Sequence, residues 1–116
     1  MIRILIADDH PIVRQGFKQV LSDTADLLVA DEAGSGQEVL ALVAKKEYDA
    51  ILLDISMPGK SGLEVLKELK AVNPKIPVLI LSIYPEEQYA IRALKAGAAG
   101  YLTKASAPEE LISAIR

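Results

Sequence analysis

Three uninterrupted apolar runs constrain this chain more than any other feature: Ile4-Leu5-Ile6-Ala7, Ala50-Ile51-Leu52-Leu53 and Val78-Leu79-Ile80-Leu81. A strand with one face in water alternates apolar with polar residues. A run that is apolar at every position has to be covered on both faces, which suits the centre of a parallel sheet. Leu27 to Ala30 predicts a fourth strand, and Gly100-Tyr101-Leu102 a short fifth one. Helical patterns lie between them. Pro11 can open the first, with Val13, Phe17, Val20 and Leu21 on one face. Ser35-Gly36-Gln37-Glu38, Ser61-Gly62-Leu63-Glu64 and Ser106-Ala107-Pro108-Glu109 each match the capping-box pattern. A fourth helix is expected from about Pro85-Glu86-Glu87 to Gly97, a natural C-terminal stop. Strand and helix thus alternate five times, and right-handed crossovers place helices on both faces of one α/β sheet.

Composition narrows the class. One domain, residues 1–116, fits the length, and 51% hydrophobic residues can form a core without disulfide or metal staples. There is no cysteine, which removes thiolate metal sites and cysteine nucleophiles and fits a reducing, cytoplasmic setting. With 13 basic and 16 acidic residues the net charge is −3, a poor match to a phosphate backbone, so this segment alone is not expected to bind nucleic acid. The apolar start reaches Asp8-Asp9 at once, too soon for a signal peptide or a membrane span. The last helix stops at Arg116 without a cap, so further chain is expected beyond it.

Ligands of open parallel sheets bind outside the carboxyl ends of the strands. Asp8 and Asp9 end the first strand, Asp54 the third and Ser82 the fourth, while Lys104 follows the fifth. Taken singly, each has an ordinary reading: an Asp as a turn former or cap, Ser82 as a cap, Lys104 as a solvated surface residue. Their convergence on one rim is the signal. Clustered carboxylates repel one another unless a cation sits among them, and oxygen-only ligands with no His or Cys select a hard ion such as Mg²⁺. A carboxylate beside Mg²⁺ can attack phosphorus, with Lys104 and the Ser82 hydroxyl holding the phosphoryl oxygens.

Asp8-Asp9, Asp54 followed by Met57-Pro58-Gly59 and Gly62, Ser82, Tyr101 and Lys104 together resemble the receiver domain of two-component response regulators over the whole chain. The resemblance implies a flavodoxin-like doubly wound sheet of order 2-1-3-4-5 with five helices, and phosphoryl transfer from a sensor histidine kinase to Asp54. It implies Mg²⁺ held by Asp9, Asp54 and the Ser56 carbonyl, with Asp8 helping through water. It makes Ser82 and Tyr101 the switch residues that reshape the face formed by the fourth helix, fifth strand and fifth helix, and it allows a homodimer on phosphorylation. Such a domain is a signalling switch that catalyses only its own phosphorylation and dephosphorylation. Asp8-Asp9-His10-Pro11 and the segment Ala96 to Lys104 further resemble the NarL/FixJ, or LuxR-type, subfamily, whose receivers precede a helix-turn-helix DNA-binding domain. The resemblance therefore implies transcriptional control through a domain these residues do not include. One departure is Ala105, where many receivers carry a cis proline after the lysine; a cis bond to Ala costs about 2.5–4 kcal/mol, so that loop is strained or takes another path.

Other signals weaken on inspection. Gly59-Lys60-Ser61 has Asp54 where a P-loop needs its first Gly, and Gly34-Ser35-Gly36 has Val39 in place of a third Gly. The lone His10 sits at a helix start, where capping or a surface position is the simpler reading and lining of the rim the lesser one. An aspartyl-phosphate phosphatase of the haloacid dehalogenase type would want Asp at Ser56 and a cap domain. A flavin binder would want a glycine- and hydroxyl-rich loop where Asp8-Asp9-His10-Pro11 stands. The remaining alternative is an inert receiver used for protein contacts, but such a domain normally lacks one of the key residues kept here.

Overall fold

The computed structural model describes residues 2–22, 26–54, 62–82, 94, 95 and 97–103. The elements run β1 (Ile2–Ala7), α1 (Pro11–Ser22), β2 (Leu27–Ala33), α2 (Gly36–Lys45), β3 (Ala50–Asp54), α3 (Gly62–Val72), β4 (Val78–Ser82) and β5 (Gly100–Thr103). The strands form one parallel sheet of order β2-β1-β3-β4-β5, the order the receiver-domain resemblance implies. The start of the expected fourth helix and the whole of the fifth lie outside the described residues, as do Ser61 and Ser106 of the capping patterns.

The apolar runs are covered on both faces. Ile4, Ile6, Ala50, Leu52, Leu79 and Leu81 pack on one side with Phe17 and Leu21 of α1. Leu5, Ala7, Ile51, Leu53, Val78 and Ile80 pack on the other with Val39 of α2 and Val65, Leu66 and Leu69 of α3. Side chains that alternate across the pleat thus enter two separate cores. Each fully buried Leu or Ile is worth about 1.5–3 kcal/mol, so the central strands are held by their own side chains as much as by the ladder.

Local signals act as their chemistry requires. Ser35 Oγ accepts from the Glu38 backbone N–H at 3.3 Å, half of the capping box. Glu38 Oε2 closes the other half one residue early, on the Gly34 N–H at 3.0 Å. Near the end of the expected fourth helix, Leu94 and Lys95 are helical and Gly97 takes φ +106°, the left-handed stop that glycine permits. A Cβ there would lie 3.0 Å from Lys70 Cγ, and Lys70 is held because its Nζ donates to the Ile76 carbonyl at 2.6 Å.

β2 extends beyond the expected Ala30 to Ala33. Its register against β1 slips by one between Ile4 and Leu5, so Ala30 is passed over and pairing resumes at Asp31. The polar pair Asp31-Glu32 hides this stretch from a hydrophobic pattern, but on an edge strand both find partners. The Tyr48 hydroxyl donates to Asp31 Oδ2 at 2.6 Å, and Lys46 Nζ lies 3.2 Å from the same oxygen. The Tyr48 hydrogen bond, aided by Lys46, lowers the Asp31 pKa. Burial, followed by the Asp31 bond and charge, pushes the Tyr48 phenol up to about 12.

Two outcomes are expected. Gly97→Ala should cost about 1–2 kcal/mol through the disallowed φ, read as a lower urea midpoint. The Tyr48–Asp31 pair should shape stability at both pH extremes. Tyr48 has its folded pKa raised, so its contribution is complete below pH 10 and is lost as pH rises through about 12. Asp31 has its folded pKa lowered, so its contribution is complete above the ordinary carboxylate range and is lost as pH falls through the depressed value. Urea midpoints across pH should therefore fall less steeply at both ends in Tyr48→Phe; unchanged limbs would remove the pair as their cause.

Candidate functional site

The site follows from strand register. β1 and β3 are neighbours paired Ala7↔Leu53, so the next residue of each, Asp8 and Asp54, comes side by side at the carboxyl edge of the sheet. Both are buried, with 0% and 2% exposure. Asp9 follows at the rim and His10 leads into α1, its carbonyl accepting from the Val13 and Arg14 N–H groups at 3.1 and 3.2 Å. Ligand atoms of Asp8, Asp9, His10 and Asp54 all lie within 4.8 Å of one another.

The hydrogen bonds around Asp8 fix its orientation. Its N–H donates to the Ala33 carbonyl at 3.0 Å, continuing the β1–β2 ladder for one residue. Its Oδ1 accepts from the His10 N–H at 2.9 Å and lies 3.1 Å from His10 Nδ1, while its carbonyl accepts from Arg14 Nη1 at 2.6 Å. His10 Nδ1 is also 3.0 Å from Asp9 Oδ1 but outside hydrogen-bonding geometry. Asp9 Oδ1 is thus a solvent-shielded carboxylate oxygen with no hydrogen-bond donor among the described residues.

This donor set fits a hard divalent cation. Three carboxylates at close quarters, two of them buried, carry more negative charge than the surrounding apolar strands can solvate, and the shielded Asp9 oxygen faces the same need. The carboxylate oxygens of Asp8, Asp9 and Asp54, with a ring nitrogen of His10 beside them, could hold such an ion.

Of the residues expected from sequence, Asp8, Asp9 and Asp54 are brought together. Ser82 ends β4, one residue past the level at which Leu81 pairs with Asp54. Tyr101 lies on β5 opposite Ile80, half-buried against the core shared with α2 and α3. Ser56, Met57, Pro58, Lys104 and Ala105 lie outside the described residues. His10 precedes α1 with its side chain largely exposed and its Nδ1 beside Asp8 and Asp9, so it has both the surface position and the place at the rim. Sequence reasoning missed Arg14. The available signal was a charged residue beside Val13 and Phe17 on the inner side of α1, with Lys18 one turn further on. Among the described residues no helix is long and apolar enough to cross a membrane.

Comparison with known proteins agrees with this geometry. Residues 4–116 match the family described as the response regulator receiver domain. The chain is 43% identical over 115 residues, 99% of its length, to the uncharacterized transcriptional regulatory protein YxjL of Bacillus subtilis, of which it covers 53%. It is 39% identical over all 116 residues to the response regulator GacA of Pseudomonas aeruginosa, of which it covers 54%. The crystal structure of a LuxR-family two-component response regulator from Aurantimonas superposes with a TM-score of 0.94 at 33% identity, covering 99% of this chain and 82% of that one. The chain spans about half the length of the curated relatives it matches. Buried aspartates at adjacent strand ends, the 2-1-3-4-5 sheet and these matches lead to one family: the chain belongs to the response regulator receiver domains, the signalling switch domains of two-component systems.

Proposed function

We propose that this domain is switched by Mg²⁺-dependent phosphorylation of Asp54. The observation that carries the proposal is the meeting of Asp8, Asp9 and Asp54 at the ends of two paired strands, with Asp54 almost fully buried. The donor is a phosphohistidine on a sensor histidine kinase. An Asp54 carboxylate oxygen attacks its phosphorus; the O–P bond forms as the P–N bond breaks, and the imidazole nitrogen leaves with the electron pair. Bound Mg²⁺ would counter the charge on the phosphoryl oxygens. Asp9, Asp54 and the Ser56 carbonyl would hold the ion, with Asp8 acting through water. Burial of Asp54 at a rigid strand end limits the orientations its oxygens can take toward phosphorus. Lys104 and the Ser82 hydroxyl take the remaining phosphoryl oxygens, and hydrolysis by water returns the carboxylate.

In this reading the phosphoryl group draws Ser82 toward it and Tyr101 turns in behind, shifting a two-state equilibrium of the surface near β4 and β5. The half-buried Tyr101, already packed against one core, suits a side chain with two resting places. The signal then passes to a DNA-binding domain in a longer protein, with transcription as output and phosphorylation-dependent homodimerisation as one route. The support is the transcriptional regulatory relative, of which this chain covers about half. A net charge of −3 leaves DNA contact to that other domain. Both kinase and target place the protein in the cytoplasm.

Incubation with acetyl phosphate should add one phosphoryl group, only with Mg²⁺, and peptide mapping should place it at Asp54. Asp54→Asn should abolish the adduct, since the amide is no nucleophile; an adduct that persists there would move the acceptor elsewhere. If neither acetyl phosphate nor beryllofluoride modifies the unaltered chain, the domain is an inert receiver. Tyr101→Ala should leave the phosphorylation rate nearly unchanged and diminish the amide-shift response of β4 and β5 to beryllofluoride. A large fall in rate would make Tyr101 part of the reacting site instead.

A further inference from the structure

Resting on the Mg²⁺ site just proposed, we infer that Arg14 is a positioning residue for it. Its guanidinium fixes the Asp8 peptide, and through that peptide the direction in which Asp9 enters the metal site. β1 ends at Ala7 and β2 at Ala33, and the bond from the Asp8 N–H to the Ala33 carbonyl carries the ladder one residue further. At that point the donor meeting the Asp8 carbonyl is Arg14 Nη1, at 2.6 Å. The same guanidinium is held from its other side, where Nε donates to Glu32 Oε1 at 3.2 Å. Glu32 is itself fixed by Lys18 Nζ, 2.9 Å from its second oxygen. The turn at Gly34 lies beside the group, since a Cβ on Gly34 would be in ordinary contact with Nη1 at 3.5 Å. A planar fork with several fixed donors can satisfy a carboxylate and a carbonyl at once, which a lysine ammonium on a flexible stem does less well. The Asp8 carbonyl belongs to the peptide whose nitrogen is that of Asp9. Holding this plane sets where the Asp9 carboxylate starts, as outer hydrogen bonds do for metal ligands generally.

Positioning and plain electrostatics predict opposite signs. Removing a cation near a divalent-ion site should tighten Mg²⁺ binding if only charge matters. Loss of positioning should weaken it. Mg²⁺ dissociation constants are to be measured by calorimetry and amide-shift titration, at a temperature where circular dichroism shows each variant folded. Arg14→Met is expected to raise the Kd on the order of tenfold, the lower end of what such outer hydrogen bonds carry. Arg14→Lys should fall between it and the unaltered chain. Lys18→Met breaks the other ion pair to Glu32 without touching Asp8, and should lose stability with no rise in Kd. Should Arg14→Met fail to fold, Arg14→Gln makes the same test with more of the stem's packing and polarity retained. An unchanged or lowered Kd in a folded Arg14→Met or Arg14→Gln overturns the assignment, as does an equal rise in Lys18→Met. If the unaltered chain takes up no Mg²⁺, the metal site fails and Arg14's part in it fails with it.

Discussion

Everything at the reactive edge hangs on the parallel pairing of β1 with β3, and that pairing depends on both strands being apolar at every position. Ile4 to Ala7 and Ala50 to Leu53 are covered on both faces, so each strand is locked twice, by the α1 core and by the core of α2 and α3. A one-residue slide of either strand would exchange the faces of all its side chains and spoil both cores together. The register is therefore stiff, and stiffness is what charged groups need if they are to stay close. Asp8 and Asp54 are not drawn to each other; they are pushed together by the apolar residues behind them. Their mutual repulsion is set against several buried side chains at about 1.5–3 kcal/mol each.

Asp8 is where this scaffold meets the variable parts of the molecule. Its N–H still belongs to the sheet, its side chain turns back onto the first residue before α1, and its carbonyl is taken by the side chain of Arg14 from within α1. One buried residue thus joins strand, turn and helix. Above it Asp9 and His10 form the rim, Asp9 half-buried and His10 exposed.

How much of this could be read from sequence follows from how far each signal reaches. The three apolar runs announced the central strands, and the parity of residues along them announced nothing further because both faces were apolar. The acidic residues Asp8, Asp9 and Asp54 were legible because a strand end is a place where sequence and position coincide. Ser35 and Gly97 were legible because capping and chain reversal are local chemistry. Arg14 was not, since its two acceptors, Glu32 and the Asp8 carbonyl, are distant in sequence or carried by the backbone. The outer half of β2 was missed for a similar reason. Asp31 and Glu32 look like loop residues until Tyr48, Lys46, Arg14 and Lys18 are seen around them.

The slip at Ala30 has an outcome that ordinary pairing could not produce. Up to Val29, odd-numbered residues of β2 face α1: Leu27 and Val29 join the core on that side. Ala30 and Asp31 both face the opposite side, Ala30 against the second core and Asp31 on the Tyr48 hydroxyl. From there the parity is reversed, so that Glu32, an even-numbered residue, faces α1 and meets Arg14 and Lys18, while Ala33 faces away. One strand therefore carries two phases of the same two-residue rhythm. Its first half is tuned to fill a core, and its second half to deliver one carboxylate to each side of the sheet. The junction between the phases is a single alanine, small enough to leave no mark on the hydrophobic pattern.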